Sequence, residues 1–169
     1  MREKLELYCN WKTEYYAMRS LIFATVFWMP MCFVFIFCIP DFFCFAGMFV
    51  SYLLLFFIPT IIIHSNYEKY SKHKRLIIES NLLNFDGKAI EFSSIKEINA
   101  RGTGSALGFY YFAGVIDMSE YYYLEIKTDN DEKIILTSLL SKDLLKIIRD
   151  RVPSVEINLQ HSIYPIVRD

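Results

Sequence analysis

The stretch "LIFATVFWMPMCFVFIFCIPDFFCFAGMFVSYLLLFFIPTIII" occupies residues 21–63 and contains one charged residue, Asp41. An α-helix rises about 1.5 Å per residue and the hydrocarbon core of a bilayer is about 30 Å thick, so about 20 residues cross it. Residues 21–39 and 42–63 each have that length. Pro40 and Asp41 favour a reversal, because proline removes an amide donor and aspartate tolerates turn geometry. The stretch therefore predicts a two-helix transmembrane hairpin with Pro40 and Asp41 as its outer turn.

Positively charged residues flank this hairpin on one side only. None lies in the turn, whereas four precede the first helix and four follow the second: Arg2, Lys4, Lys12, Arg19, Lys69, Lys72, Lys74 and Arg75. The positive-inside rule then predicts a multi-pass protein of the inner (cytoplasmic) membrane with both termini cytoplasmic. Pro30 and Pro59 fall within the helices and predict kinks.

The segments next to the hairpin carry aromatic and basic side chains. Residues 1–20 are predicted as an amphipathic helix lying on the membrane or binding a partner, since apolar residues recur every three or four positions: Leu5, Tyr8, Trp11, Tyr15 and Met18. Residues 64–75 are predicted as a basic linker. Aromatic and basic side chains favour the lipid headgroup region. The basic residues are also explained by the positive-inside rule alone, because they fix the orientation of the hairpin. The candidate lipid-contacting residues are Trp11, Tyr15, Arg19, Lys69, Lys72, Lys74 and Arg75.

After residue 75 the pattern changes to short runs separated by turn residues, which predict about seven strands. The runs are "LIIE" (76–79), "LLNF" (82–85), "KAIEF" (88–92), "SIKEINAR" (94–101), "GFYYFAGV" (108–115), "YYYLEIKT" (121–128) and "EKIILT" (132–137). The segment "SKDLLKIIRDRVP" (141–153) then predicts a helix capped by Ser141 and ended by Pro153. We expect the tail, residues 154–169, to add an edge strand to the sheet or to pair with a partner.

Two runs carry a resemblance to a known family. "NLLNFDGKAIEFSSIKEI" (81–98) and "YYLEIKTDNDEKIILTSLLSKDLLKIIRDR" (122–151) resemble the early hairpin, the last hairpin and the final helix of bacterial pleckstrin-homology-like (PH-like) small membrane proteins with an N-terminal transmembrane hairpin. The resemblance implies an α+β membrane protein. Its cytoplasmic domain, residues 76–153, would be a PH-like antiparallel β-barrel or sandwich of about seven strands with a C-terminal capping helix. It also implies a non-enzymatic binding or scaffolding module.

The segment "RGTGSALGFYYFAGV" (101–115) holds four of the six glycines. Their spacing lacks the lysine and the following helix that a phosphate-binding loop requires. A flexible loop before a buried strand is one reading, and an aromatic loop that enters lipid or binds a partner is the other. The candidate partner-binding residues are Gly102, Gly104, Gly108, Phe109, Tyr110, Tyr111 and Phe112.

Several function classes are disfavoured. Residues 76–169 carry ten Lys/Arg against fourteen Asp/Glu, a net charge of −4, which argues against nucleic acid as a partner. No cysteine or histidine spacing is typical of a metal site, and no catalytic motif is present, so we expect no metal, cofactor or enzymatic activity. A channel is disfavoured because few polar residues lie within the predicted spans.

The remaining hypothesis is a membrane-anchored scaffold whose PH-like domain binds a protein partner or lipid. Its partners would be membrane lipids and either another protein or further copies of the chain. The alternative is an immunity or defence protein that neutralises, or forms part of, a membrane-targeting toxin complex. Small size and two aromatic-rich spans motivate that alternative.

Overall fold

The computed structural model describes residues 4–38, 42–108 and 120–168. The chain begins with a strand, β1 (Leu5–Tyr8), and helix α1 (Trp11–Cys38) follows after two residues. Asn10 caps this helix: its Oδ1 accepts the backbone N–H groups of Lys12 at 2.9 Å and Thr13 at 3.2 Å. The predicted amphipathic helix over residues 1–20 is therefore wrong in its first part. Residues 5–8 pair with a distant strand instead.

The second long helix contains three segments: α2 (Phe42–Tyr52), a π-helical turn (Leu53–Phe57) and α3 (Ile58–Ser71). Pro59 accounts for the π-turn, because its ring clashes with the carbonyl four residues earlier in a regular α-helix and a wider turn accommodates it. Helix α1 continues through Pro30. Among the described residues, Trp11–Val34 and Phe45–Ser71 are long and apolar enough to cross a membrane. The predicted outer turn, Pro40 and Asp41, lies outside the described residues.

The two long helices contact each other through an aromatic seam. Tyr52 is buried, its hydroxyl forms a hydrogen bond with the Thr25 hydroxyl, and its ring lies 6.3 Å from those of Trp28 and Phe56. Thr25 also donates to the Leu21 carbonyl at 2.7 Å. Two of the few polar residues predicted within the spans therefore satisfy each other at the helix–helix contact.

Eight strands form two four-stranded sheets within the described part of the chain. Sheet A is antiparallel and has the order β1-β2-β3-β4, with β2 (Arg75–Ile78), β3 (Leu82–Phe85) and β4 (Lys88–Glu91). Sheet B has the order β7-β6-β5-β8, with β5 (Ile95–Gly102), β6 (Tyr122–Thr128), β7 (Lys133–Thr137) and β8 (Ile157–His161). A short 3₁₀ turn (Phe92–Ser94) links β4 to β5, and β8 runs parallel to β5.

The main core contains residues from both sheets and from helix α5 (Leu144–Arg151). Leu76, Leu83, Leu124 and Leu136 are fully buried there, as are Leu144 and Ile148 of α5. The predicted helix is present, but it begins at Leu144. The Ser141 hydroxyl accepts the N–H of Asp143 at 3.2 Å before the helix begins.

The long helices are inserted between two paired strands. Leu5 of β1 is opposite Ile78 of β2, so the strands on either side of the hairpin are neighbours in sheet A. Residues 64–71 continue helix α3 and do not form the predicted linker. Strands β1 and β8 both lie outside the predicted domain range, residues 76–153, and β8 joins sheet B as an edge strand. Most of the predicted strand over residues 108–115 lies outside the described residues.

Candidate functional site at the base of the helical hairpin

A second apolar cluster joins the long helices to sheet B. We call it the junction cluster; its buried members are Ala17, Ile63, Tyr67, Tyr121, Tyr123, Leu139 and Val167. Tyr67 is fully buried, and its ring meets that of Tyr121 edge-on at 5.3 Å and that of Tyr123 at 6.3 Å. Aromatic pairs in this geometry add stabilisation beyond the area that they bury. Sheets A and B with helix α5 are together called the β domain. This domain is thereby packed directly against the ends of both long helices.

The "YYY" run at residues 121–123 supplies this contact because side chains alternate across a strand. Tyr121 and Tyr123 face the helices, whereas Tyr122 belongs to the main core. The Tyr122 hydroxyl donates to the Lys142 carbonyl at 3.1 Å and accepts the N–H of Leu145 at 3.0 Å, which fixes the start of α5. Burial raises the pKa of Tyr121 and Tyr122, so both hydroxyls stay neutral.

The C-terminal tail contacts helix α3 through directed hydrogen bonds. The Tyr67 hydroxyl donates to the Pro165 carbonyl at 2.9 Å. The Asn66 side chain donates to the Val167 carbonyl at 3.2 Å and accepts the Val167 N–H at 2.9 Å. The tail therefore extends beyond β8 and packs against the hairpin. Sheet B contacts the same helix separately, since the Tyr121 hydroxyl lies 3.0 Å from His64 Nδ1.

The predicted interface residues lie around this junction. Trp11 and Tyr15 are exposed near the start of α1. Arg19 forms an ion pair with Glu120, and its guanidinium carbon lies 4.4 Å from the centre of the Tyr16 ring. The first helix and Glu120, two residues before β6, are thus held together by charge as well as by packing.

The other predicted basic residues have partners of their own. Lys72 pairs with Glu68 at 3.1 Å and Arg75 pairs with Glu6 at 3.4 Å. Lys69 lies 5.2 Å from the Tyr70 ring centre and Lys74 lies 5.6 Å from that of Phe85. Exposed pairs of this kind contribute little to stability, because solvent screens the charges and the long side chains lose conformational entropy when they pair.

The glycine-rich segment contains a short helix instead of only a flexible loop. Gly102 ends β5, and a Cβ there would lie 2.4 Å from the Cβ of Tyr122. Helix α4 (Gly104–Leu107) follows, with the Thr103 hydroxyl as its cap and Gly108 in the left-handed conformation, φ +77°, at its end. Gly102 and Gly108 therefore have backbone roles. The predicted binding residues Phe109, Tyr110, Tyr111 and Phe112 lie outside the described residues.

A cavity of about 440 Å³ opens between the β3–β4 turn and the start of β7. Its charged lining residues are Lys74, Asp86, Lys88 and Lys133, and Tyr70 and Phe85 contribute aromatic surface. Lys88 pairs with Glu132 at 3.0 Å and Lys133 pairs with Glu125 at 3.2 Å. The cavity combines aromatic surface with lysines, which are suited to acidic groups.

Sequence reasoning missed the junction cluster and this cavity. The three consecutive tyrosines were a signal for the junction cluster. Three large aromatic residues at the start of a strand point to both faces of the sheet, so each face needs other residues to bury them. Within residues 4–38, 42–108 and 120–168, no three His, Cys, Asp or Glu side chains lie close enough to hold a metal ion.

Comparison with known proteins places this architecture in a family. A family model described as a PH domain matches residues 9–145, a range that includes both long helices and strands β2 to β7. The chain belongs to the PH domain family, whose members are generally non-catalytic modules that bind lipids or proteins. The predicted PH-like resemblance is confirmed. No match was found among curated proteins or among solved structures.

Proposed function

We propose that this protein is a membrane-anchored binding module of the inner membrane. Two spans place its PH-like domain on the cytoplasmic face together with both termini, and the domain binds a protein partner there. Membrane lipids would contact the aromatic and basic residues around the helix ends. The protein needs no cofactor for this role and performs no chemistry of its own.

One observation carries the proposal: the hairpin is inserted between the paired strands β1 and β2 and is packed against sheet B by the junction cluster. An anchor joined by a flexible linker would let the domain rotate. Here the helices connect to the domain at both ends and contact it through buried tyrosines. Such a connection supports a function in which a binding surface is held at a fixed orientation to the membrane.

The cavity between the β3–β4 turn and β7 is the surface we assign to the partner. Tyr70 follows Ile63, the predicted end of the second span, by seven residues, so it lies about 10 Å further along the helix axis. In the proposed topology the cavity would lie on the cytoplasmic side, at a distance from the bilayer. Its lysines and aromatic rings suit an acidic segment of another protein.

The test is purification of the tagged full-length protein in mild detergent, with mass spectrometry of the proteins that accompany it. The cavity variant carries Lys88→Glu and Lys133→Glu. A matched control carries the same charge change at exposed lysines elsewhere, Lys96→Glu and Lys146→Glu. A partner retained by the control and lost from the cavity variant supports the proposal. A partner retained by both, or lost from both, argues against this cavity as its binding site.

The immunity or defence alternative remains a hypothesis that no described contact and no comparison favours. Replacing residues 21–63 with an unrelated two-span hairpin separates the two functions. A scaffold would keep its partner after that replacement, because the partner binds the domain. A protein that acts on a toxin through its spans would lose its activity.

A further inference from the structure

A groove runs along the exposed face of α1 where this helix meets the β domain. It encloses a cavity of about 570 Å³. Its lining includes six residues of α1 and one residue of α4: Tyr15, Arg19, Ser20, Ile22, Phe23, Val26 and Ser105. Two separate elements therefore form its walls, which distinguishes it from the open surface of a helix.

The polarity of the groove changes along the helix axis. Tyr15, Arg19 and Ser105 make one end polar, whereas Phe23 and Val26 make the other end apolar and are 64% and 62% exposed. Arg19 and Val26 are seven residues apart, which corresponds to about 10 Å along an α-helix. The charged end lies next to the β domain, and the apolar end continues into the predicted span. This is the order in which a phospholipid presents its headgroup and its acyl chains.

We propose that this groove binds one phospholipid of the surrounding bilayer. Its phosphate contacts Arg19 and Ser105, and one acyl chain lies along Ile22, Phe23 and Val26. The inference rests on the proposed function in one respect, which is that α1 lies in a membrane. It adds a specific lipid-binding site to the general contact between helices and lipid.

Charge and solvation both favour a phospholipid as the occupant. Arg19 already pairs with Glu120. A guanidinium has five N–H donors, however, and a single carboxylate cannot occupy all of them. Guanidinium and phosphate form strong charge-assisted hydrogen bonds. At the apolar end, exposed Phe23 and Val26 would lie at hydrocarbon depth, where an acyl chain is the available neighbour.

The experiment measures quenching of tryptophan fluorescence by a phospholipid brominated on its acyl chains. Full-length protein with Trp11→Phe and Trp28→Phe carries a reporter, Phe23→Trp, in nonionic detergent. The matched control reporter is Ile62→Trp on α3, an exposed residue at a similar predicted depth that does not line the groove. We expect quenching at position 23 to saturate. The lipid concentration that gives half-maximal quenching there should be about tenfold lower than at position 62.

Two further variants separate lipid binding from a structural effect of the ion pair. Arg19→Gln and Glu120→Gln both break the Arg19–Glu120 pair. The proposal predicts that the first raises the quenching midpoint by about tenfold, because the phosphate loses its partner. The second should leave the midpoint unchanged or lower it, because Arg19 is then free to bind phosphate.

Equal weakening in both variants would overturn the proposal, since it would point to the ion pair as a structural contact. Identical, non-saturable quenching at positions 23 and 62 would also overturn it, because the groove would then hold only bulk lipid or detergent. Absence of quenching at position 23 alone would overturn it as well, because lipid would then be excluded from the groove by another segment or a second copy. Each of these results leaves the proposed function intact, because topology and partner capture test that function separately.

Discussion

Replacement of Tyr67 tests whether the junction cluster holds the helices and the β domain together. This side chain is fully buried, and its hydroxyl donates to the buried Pro165 carbonyl at 2.9 Å. Tyr67→Phe leaves that carbonyl without its donor, which costs about 1–3 kcal/mol. Tyr67→Ala also removes the ring between Tyr121 and Tyr123, and loss of a buried aromatic side chain costs about 3–5 kcal/mol.

The assay is thermal unfolding of the purified full-length protein in detergent. For a chain of this size 1 kcal/mol corresponds to about 2–4 °C, so Tyr67→Ala should lower the midpoint by about 6–20 °C and Tyr67→Phe by a smaller amount. Tyr164→Ala is the control, because it removes a tyrosine from the tail that is 44% exposed. Refutation would be a midpoint for Tyr67→Ala within about 1 °C of the parent, since a cluster that contributes to stability cannot lose its central ring without effect.

Two further predictions concern Gly102 and Cys9. Gly102→Ala should destabilise the protein by about 1–3 kcal/mol because a Cβ there overlaps Tyr122, whereas Gly47→Ala, with no atom within 4 Å, should not lower the midpoint; equal midpoints would contradict the close contact. Burial, with the nearby Glu14 carboxylate, raises the pKa of Cys9 to about 11. In a variant with alanine at the other three cysteines, alkylation of Cys9 at pH 8 should be about 100-fold slower than for a thiol of pKa 9, and the rate should rise about tenfold per pH unit up to about pH 10. A plateau near pH 9 would show that the thiol is not shielded.

The local pattern of the sequence predicts the two long helices, the turns and most strands, because each depends on neighbouring residues. Residues 82–85 are a strand with the predicted bounds, and the last helix ends before Pro153 as expected. The short helix α4 also has a local signature, since Thr103 precedes it and Gly108 follows it.

Strand β1 depends on information that the local pattern lacks. Leu5 and Tyr8 fit a helical spacing, yet Leu5 and Leu7 pack on the core because β1 pairs with β2, beyond the hairpin. Asn10 was the available signal, since an N-cap there starts the helix at Trp11. The junction cluster depends on contacts between residues far apart in sequence, such as Tyr67 with Tyr121. The position of the cavity between the β3–β4 turn and β7 also depends on contacts between residues far apart in sequence.

The topology of the hairpin decides whether the PH-like domain is anchored on the cytoplasmic face. A cysteine-free variant would carry a single new cysteine, either Asp41→Cys in the predicted outer turn or Lys96→Cys on the β domain, where Lys96 is exposed. Intact cells of a bacterial host would be treated with a membrane-impermeant maleimide. A two-span anchor with a cytoplasmic PH-like domain should give labelling of Asp41→Cys in intact cells and of Lys96→Cys only after lysis. Labelling of Lys96→Cys in intact cells, or of Asp41→Cys only after lysis, would contradict a two-span anchor with a cytoplasmic PH-like domain.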